Sequence, residues 1–213
     1  MKDYQREFLD YAVAVEAIRF GEFVLKSGRV SPYFFNAGAF NSGSDLARLG
    51  QFYARAAVDT GLAFDMVFGP AYKGIPLAVA TAIALAKDHD LDVGCAFNRK
   101  EAKDHAEGGV VVGSPVCGRV LIIDDVITTG LSVAQSIEII EQAQAQPAGI
   151  LIALDRQERG TDGASAVQSV ESNYGITVTS IVDLDALLEY LGQGHADPSH
   201  RAAIVSYRRS YGV

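Results

Sequence analysis

Asp124 and Asp125 close a run of four apolar residues, Val120-Leu121-Ile122-Ile123, and open onto Val126-Ile127-Thr128-Thr129-Gly130-Leu131-Ser132. The apolar run, rich in β-branching, predicts a short buried strand. Val133, Ile137 and Ile140 share one helical face, which predicts a helix over Val133 to Gln144. Such a strand–turn–helix aims free backbone N–H groups and the helix N-terminus, carrying roughly +0.5 charge, at one point. Thr128, Thr129 and Ser132 add hydroxyl donors there, and Gly130 lets the backbone come close to a phosphate. A bare anion site has no use for two carboxylates. They make sense beside a ligand that carries hydroxyls or a metal next to its phosphate. A ribose 5-phosphate fits, with its phosphate in the turn and its 2′ and 3′ hydroxyls donating to Asp124 and Asp125. The competing reading is a strand end and helix cap with two solvated acids.

Three further groups carry possible chemistry. Gly69-Pro70-Ala71-Tyr72-Lys73-Gly74-Ile75-Pro76 lies between a short strand, Met66 to Phe68, and an alanine-rich helix, Leu77 to Lys87. Lys73 at the start of that helix opposes the dipole, so an anionic ligand would explain it; a solvated loop lysine is the alternative. The stretch Arg99 to Gly109 has no apolar residue larger than alanine and concentrates Arg99, Lys100, Lys103 and His105. Its default reading is a solvated mobile loop, and its functional reading is a lid that closes on a polyanion and excludes water. Lys26 and the pair Phe34-Phe35 face each other across a turn. They read either as a surface lysine with two packed aromatics or as a cation and aromatic faces around a flat anionic ring. Arg156, just past a strand over Gly149 to Leu154, reads as a surface arginine or as a fork for a carboxylate or ring carbonyls.

The elements that must position these groups alternate. Helical spacing runs from Asp3 to Arg19, and the turn residues between Phe23 to Lys26 and Tyr33 to Asn36 predict a hairpin. A helix over Ser44 to Thr60, capped by Ser44 and ended by Gly61, precedes the Met66 strand. Strands over Asp92 to Asn98, Val110 to Val112 and Val178 to Val182 follow, with helices over Ala164 to Tyr174 and Asp183 to Leu191, and a last helix in Pro198 to Val213. This order predicts an α/β fold with an open, mainly parallel sheet, helices on both faces, and a ligand at the carboxyl ends of the strands.

The chain's 213 residues suit one domain, and 49% of them are hydrophobic, enough for a sizeable core. A net charge of −8 argues against a nucleic-acid surface or an anionic membrane as partner. Cys95 and Cys117 have no ligand-like spacing and read as buried or inert thiols of a reducing compartment. No secretory apolar core follows Met1, and no stretch reaches the ~18 apolar residues that span a bilayer, so a cytoplasmic location is expected.

Taken together, these motifs resemble those of the type I phosphoribosyltransferases, and more narrowly the orotate-using branch of bacterial type. The likeness rests on the central Asp-Asp motif, Lys26 to Arg29 with Ser31 to Asn36, Gly69 to Pro76, the Arg99 to Gly109 lid, and Arg156, in that family's order. The resemblance implies one phosphoribosyltransferase domain over 1–213, with residues 1–40 and the C-terminal segment forming a small helix/hairpin hood over a base site. It implies transfer of the 5-phosphoribosyl group from 5-phosphoribosyl 1-diphosphate to orotate, with Mg²⁺ held mainly through the diphosphate and ribose hydroxyls. Lys26, Phe34, Phe35, Thr128 and Arg156 would frame orotate. Lys26, Tyr72, Lys73, Arg99, Lys100, Lys103, His105 and the run from Asp124 to Ser132 would bind the diphosphate substrate. Lys103, Asp124, Asp125, Lys73, Arg99 and His105 would carry the chemistry. The family also implies a homodimer whose lid reaches into the partner's site, and a cis or strained peptide at Ala71-Tyr72. Two departures stand out: Ala106 replaces a frequent lid glycine, and Thr129-Gly130-Leu131 replaces a frequent Ala-Gly-Thr. A purine phosphoribosyltransferase, a non-catalytic nucleotide sensor on the same fold, and an α/β phosphate-binding protein or hydrolase remain as alternatives.

Overall fold

The central strand, β6 (Arg119–Asp124), is apolar on both faces, and each face meets a different layer. The computed structural model describes residues 1–25, 27–103, 109–161, 163–195 and 197–213. Leu121 and Ile123 point into a core shared with Leu49, Tyr53 and Leu77, whereas Val120 and Ile122 point into a second core with Val133, Ile137 and Ile140. A strand buried on both sides is what a parallel sheet covered by helices requires.

The chain runs α1 (Asp3–Ala14), β1 (Ile18–Val24), β2 (Val30–Phe35), α2 (Gly43–Asp59), β3 (Met66–Gly69), α3 (Gly74–His89), β4 (Gly94–Lys103) and β5 (Gly109–Gly113). After β6 come α4 (Leu131–Gln142), β7 (Gln146–Asp155), α5 (Ala166–Tyr174), β8 (Val178–Asp183), α6 (Leu184–Gly192) and α7 (Pro198–Tyr211). Six strands form one sheet in the order β5-β4-β3-β6-β7-β8. All neighbours are parallel except β4 and β5, which pair antiparallel at the edge. The expected open, mainly parallel sheet with helices on both faces is therefore the fold. β1 and β2 form a separate antiparallel hairpin. It packs beside α7, where Phe20 stacks on His200 at 4.9 Å. No helix among the described residues is long and apolar enough to cross a membrane.

Several boundaries differ from expectation for physical reasons. The first helix stops at Ala14 rather than Arg19, because Glu16 takes a left-handed φ of 58° and Ile18 begins β1. The first hairpin strand is thus Ile18–Val24, and Lys26 lies outside the described residues. Ser42, not Ser44, caps α2: its Oγ accepts from Asp45 N at 3.1 Å, and Asp45 returns the bond to Ser42 N. Helix α3 starts at Gly74, three residues before the expected Leu77, since Pro76 costs no hydrogen bond in a first turn. The basic stretch is not wholly without structure. Residues 99–103 prolong β4, and Lys103 pairs with Gly109 across the ribbon. Residues 104–108, including His105 and Ala106, lie outside the described residues, as does the side chain of Lys103. Of the two thiols expected to be buried or inert, Cys95 is half-buried and Cys117 is exposed.

Helix α2 is tied to the central strand by one buried polar bond. The Tyr53 hydroxyl, fully enclosed, donates to the Asp124 carbonyl at 2.8 Å. Tyr53→Phe leaves that carbonyl without this donor and should cost about 1–2 kcal/mol of unfolding free energy. Urea denaturation at unchanged m-value measures the loss; equal stability would show that the bond contributes nothing.

Candidate active site

Sheet order places the carboxyl ends of β3, β6 and β7 side by side, and each ends in a loop that carries singled-out residues. Asp124 and Asp125 close β6 and are each only 6% exposed. Burial of two adjacent carboxylates is costly unless partners satisfy them. Asp124 Oδ1 accepts from the Asp125 N–H at 2.9 Å, and its Oδ2 accepts from Ser132 Oγ at 3.0 Å. Asp125 Oδ2 accepts from Lys73 Nζ at 2.6 Å, and its backbone carbonyl takes the Ala153 N–H of β7. The turn after β6 is pinned at two points: Val126 packs against one core and Ile127 against the other. Thr128, Thr129 and Leu131 project outward. Gly130 has φ 72°, the left-handed region, and stands as N-cap of α4 with no side-chain cap. The first N–H groups of that twelve-residue helix are left facing the turn, an anion-binding arrangement.

Gly74 brings the neighbouring loop against this edge. A Cβ there would sit 2.5 Å from Pro70 Cδ and 2.8 Å from the Ile123 carbonyl oxygen, so only glycine fits. The close approach delivers Lys73, whose side chain is largely exposed, to Asp125. The Ala71-Tyr72 peptide is cis, as the resemblance implied. The Ala71 N–H donates to Asn98 Oδ1 of β4 at 2.8 Å, which couples this loop to the basic ribbon. Lys100 Nζ stands 4.6 Å from the centre of the exposed Tyr72 ring. An open cavity of about 560 Å³ lies here, lined by Tyr72, Ile75, Phe97, Asn98, Arg99 and Lys100 among others. It flanks the aspartates rather than containing them.

Arg156, just past β7, is largely enclosed and already engaged, by Glu158 and by Ser31 of β2. The two phenylalanines of β2 do not act as a pair. Strand alternation turns Phe35 into the core at 8% exposure and leaves Phe34 outside. Phe34 stacks on Phe23 at 5.5 Å, and the Arg19 guanidinium lies over both rings. Phe35 thus offers a ligand its backbone, not its ring. Lys26 and His105 lie outside the described residues. Sequence reasoning missed Tyr53, Asn98, Ser31 and Glu158. Tyr53, Asn98 and Ser31 each reach the site from a distant part of the chain, and Glu158, two residues past Arg156, gives no sign in its spacing that it pairs with it.

The donor set is hard oxygen, which suits Mg²⁺ rather than a soft metal. Among the described residues, no three or more His, Cys, Asp or Glu side chains gather as a cage. An ion at this edge would share its coordination with a ligand's phosphates and hydroxyls.

Comparison with known proteins agrees with this geometry. The family model of the phosphoribosyl transferase domain matches residues 38–183, the span from just after the hairpin to the end of β8. The chain is 58% identical over 213 residues to orotate phosphoribosyltransferase of Thioalkalivibrio sulfidiphilus and 57% identical to that of Escherichia coli, covering all of each protein and being covered fully in return. A crystal structure of orotate phosphoribosyltransferase from Francisella tularensis superposes with a TM-score of 0.88 at 38% identity, covering 97% of this chain and 100% of that one. The chain belongs to the phosphoribosyltransferase family and, within it, to the orotate phosphoribosyltransferases.

Burial, and then the neighbouring Asp125 charge, push the Asp124 carboxyl up from 3.8 to about 6. Between those values the folded chain holds a proton that the unfolded chain has released, so this group's contribution to stability falls as pH rises through the window. Asp124→Asn removes the cost of the charge while keeping an acceptor for the Asp125 N–H. The free variant should be more stable than wild type at pH 7, by about 1–2 kcal/mol, with the difference vanishing near pH 4. Chemical denaturation at both values tests this, and a difference independent of pH would refute it.

Proposed function

We propose that this chain transfers the 5-phosphoribosyl group from 5-phosphoribosyl 1-diphosphate to orotate, giving orotidine 5′-phosphate and diphosphate in pyrimidine nucleotide synthesis. The observation that carries the reading is the pair of buried carboxylates closing β6, directly before a hydroxyl-bearing turn and an uncapped helix N-terminus. Full-length identity to orotate phosphoribosyltransferases supports orotate as the base.

In this reading the turn from Val126 to Ser132 binds the 5-phosphate through backbone N–H groups and the hydroxyls of Thr128, Thr129 and Ser132. The displacement of Thr129 and Leu131 from the commoner order leaves those N–H groups in place. Asp124 and Asp125 accept from the ribose hydroxyls. Lys73 exchanges Asp125 for the diphosphate, joined by Tyr72, Arg99 and Lys100 from the adjoining cavity. Lys103 and His105 belong to the lid, and Lys26, Phe34, the Phe35 backbone, Thr128 and Arg156 frame orotate under a hood made by residues 1–40 and the C-terminal segment. The C1–diphosphate bond breaks, its electron pair leaves with the diphosphate, and the orotate ring nitrogen bonds to C1 while its proton passes to the departing diphosphate or to water. Positive charge develops on the ribose, close to two carboxylates, and negative charge grows on the leaving group, close to the lysines. Orotate's charge sits on its carboxylate; the ring nitrogen sheds its proton as the bond to C1 forms, and the departing diphosphate is an acceptor close at hand. When bound, Mg²⁺ neutralises the diphosphate. The resemblance further supports a cytoplasmic homodimer in which each lid serves the partner's site.

The decisive experiment mixes the protein with orotate, 5-phosphoribosyl 1-diphosphate and Mg²⁺ and follows orotate's ultraviolet absorbance. Loss of absorbance is the expected result. Consumption of hypoxanthine or adenine instead, or no reaction, would overturn the assignment. Lys103→Ala should lower kcat by about 100-fold or more while the orotate KM moves only a few-fold. Equal losses in both would remove Lys103 from the catalytic role.

A further inference from the structure

Glu158 sits two residues past Arg156 and meets two arginines at once. Its Oε1 accepts from Arg156 Nε at 2.8 Å and Nη2 at 2.5 Å, and its Oε2 lies 3.9 Å from Arg29 Nη1. Arg29 stands just before β2, donates from Nη2 to the Arg159 carbonyl at 2.9 Å, and lies over the Tyr211 ring at 4.9 Å. Arg156 reaches back to the same hairpin: its Nη2 donates to Ser31 Oγ at 3.0 Å, and its guanidinium lies 4.3 Å from the centre of the Tyr33 ring. One carboxylate, only 16% exposed, thus links the β1–β2 hairpin to the end of β7.

The backbone around Glu158 is itself held. Glu158 pairs with Gly212 in an antiparallel bridge, Arg159 N donates to the Tyr211 carbonyl at 2.8 Å, and Val213 N donates to the Gln157 carbonyl at 3.0 Å. Its carboxylate is therefore a fixed point to which both arginines are referred. With Nε and Nη2 of Arg156 committed to Glu158 and Ser31, the plane of the guanidinium is fixed. A guanidinium recognises a planar anion well only when its edge is aimed.

We propose that Glu158 is a positioning residue for the base site, fixing the direction of the Arg156 fork and, through Arg29, the register of the hairpin that bears Phe34. The inference rests on the orotate reading above.

Glu158→Gln keeps shape and an acceptor oxygen but removes the charge. In steady-state kinetics on the whole chain, we expect the orotate KM to rise about tenfold while the 5-phosphoribosyl 1-diphosphate KM stays within about twofold. Arg29→Met should give the same selective rise. The double variant should fall short of the product of the two, since both act through one carboxylate. A purely structural role would raise both KM values together and lower the thermal midpoint. Should Glu158→Gln prove poorly folded, the same KM split in Arg29→Met decides the matter. An orotate KM that is unchanged or lowered, or equal rises for both substrates, would overturn the proposal. A wild-type chain that consumes no orotate overturns the base reading and this inference with it, and is thereby told apart from a failure of Glu158 alone.

Discussion

Two carboxylates buried at the end of an apolar strand are the constraint that the rest of the structure serves. Asp124 and Asp125 have little water around them, so each must be supplied with partners by the fold. Ser132 from the start of α4 and Lys73 from the loop before α3 meet the carboxylates, while the Ala153 N–H of β7 holds the Asp125 main-chain carbonyl. Three separate segments are thereby drawn to one edge. Tyr53 adds a fourth attachment from α2, on the backbone like that of β7. The cost of burying charge is thus converted into a requirement for convergence, and convergence is what builds a site.

The same constraint explains why the free protein already pairs Lys73 with Asp125. A lysine at a helix start is unfavourable by itself, and a lone buried aspartate is worse. Together they hold the loop in a geometry that an incoming anion can take over by exchanging partners. At the other end of the site, Arg156 is likewise engaged before any ligand arrives. The two ends differ in exposure: the Lys73 side chain is 60% exposed and that of Arg156 16%. The first is free to swing, and the second is set.

Much of this was legible in the sequence wherever one residue type had one physical use. Four apolar residues before two acids can hardly be anything but a buried strand ending at a polar site, and β6 follows. The turn glycine and hydroxyls were readable for the same reason. The end of α1 was not, because Ile18 satisfies helical spacing and strand alternation alike, and only the left-handed Glu16 separates them. The prolonged β4 was hidden because an edge ribbon is held by main-chain bonds and needs no large apolar side chains. The opposed faces of Phe34 and Phe35 follow from strand alternation once β2 is known, so reading them as a pair overlooked a rule already in hand. Glu158 was invisible for a deeper reason. Besides the nearby Arg156, its partners come from the first hairpin and from the residue after the last helix, and no local pattern joins them.

The phosphate turn is anchored through Val126 in one hydrophobic layer and through Ile127 in the other. Mechanically it is a bridge whose two abutments stand in different ground. A repacking in either layer, however far from the ligand, shifts one abutment against the other and tilts the span between them. Under the proposed function, the fit of this turn to a phosphate then depends on how the two layers are seated on the sheet.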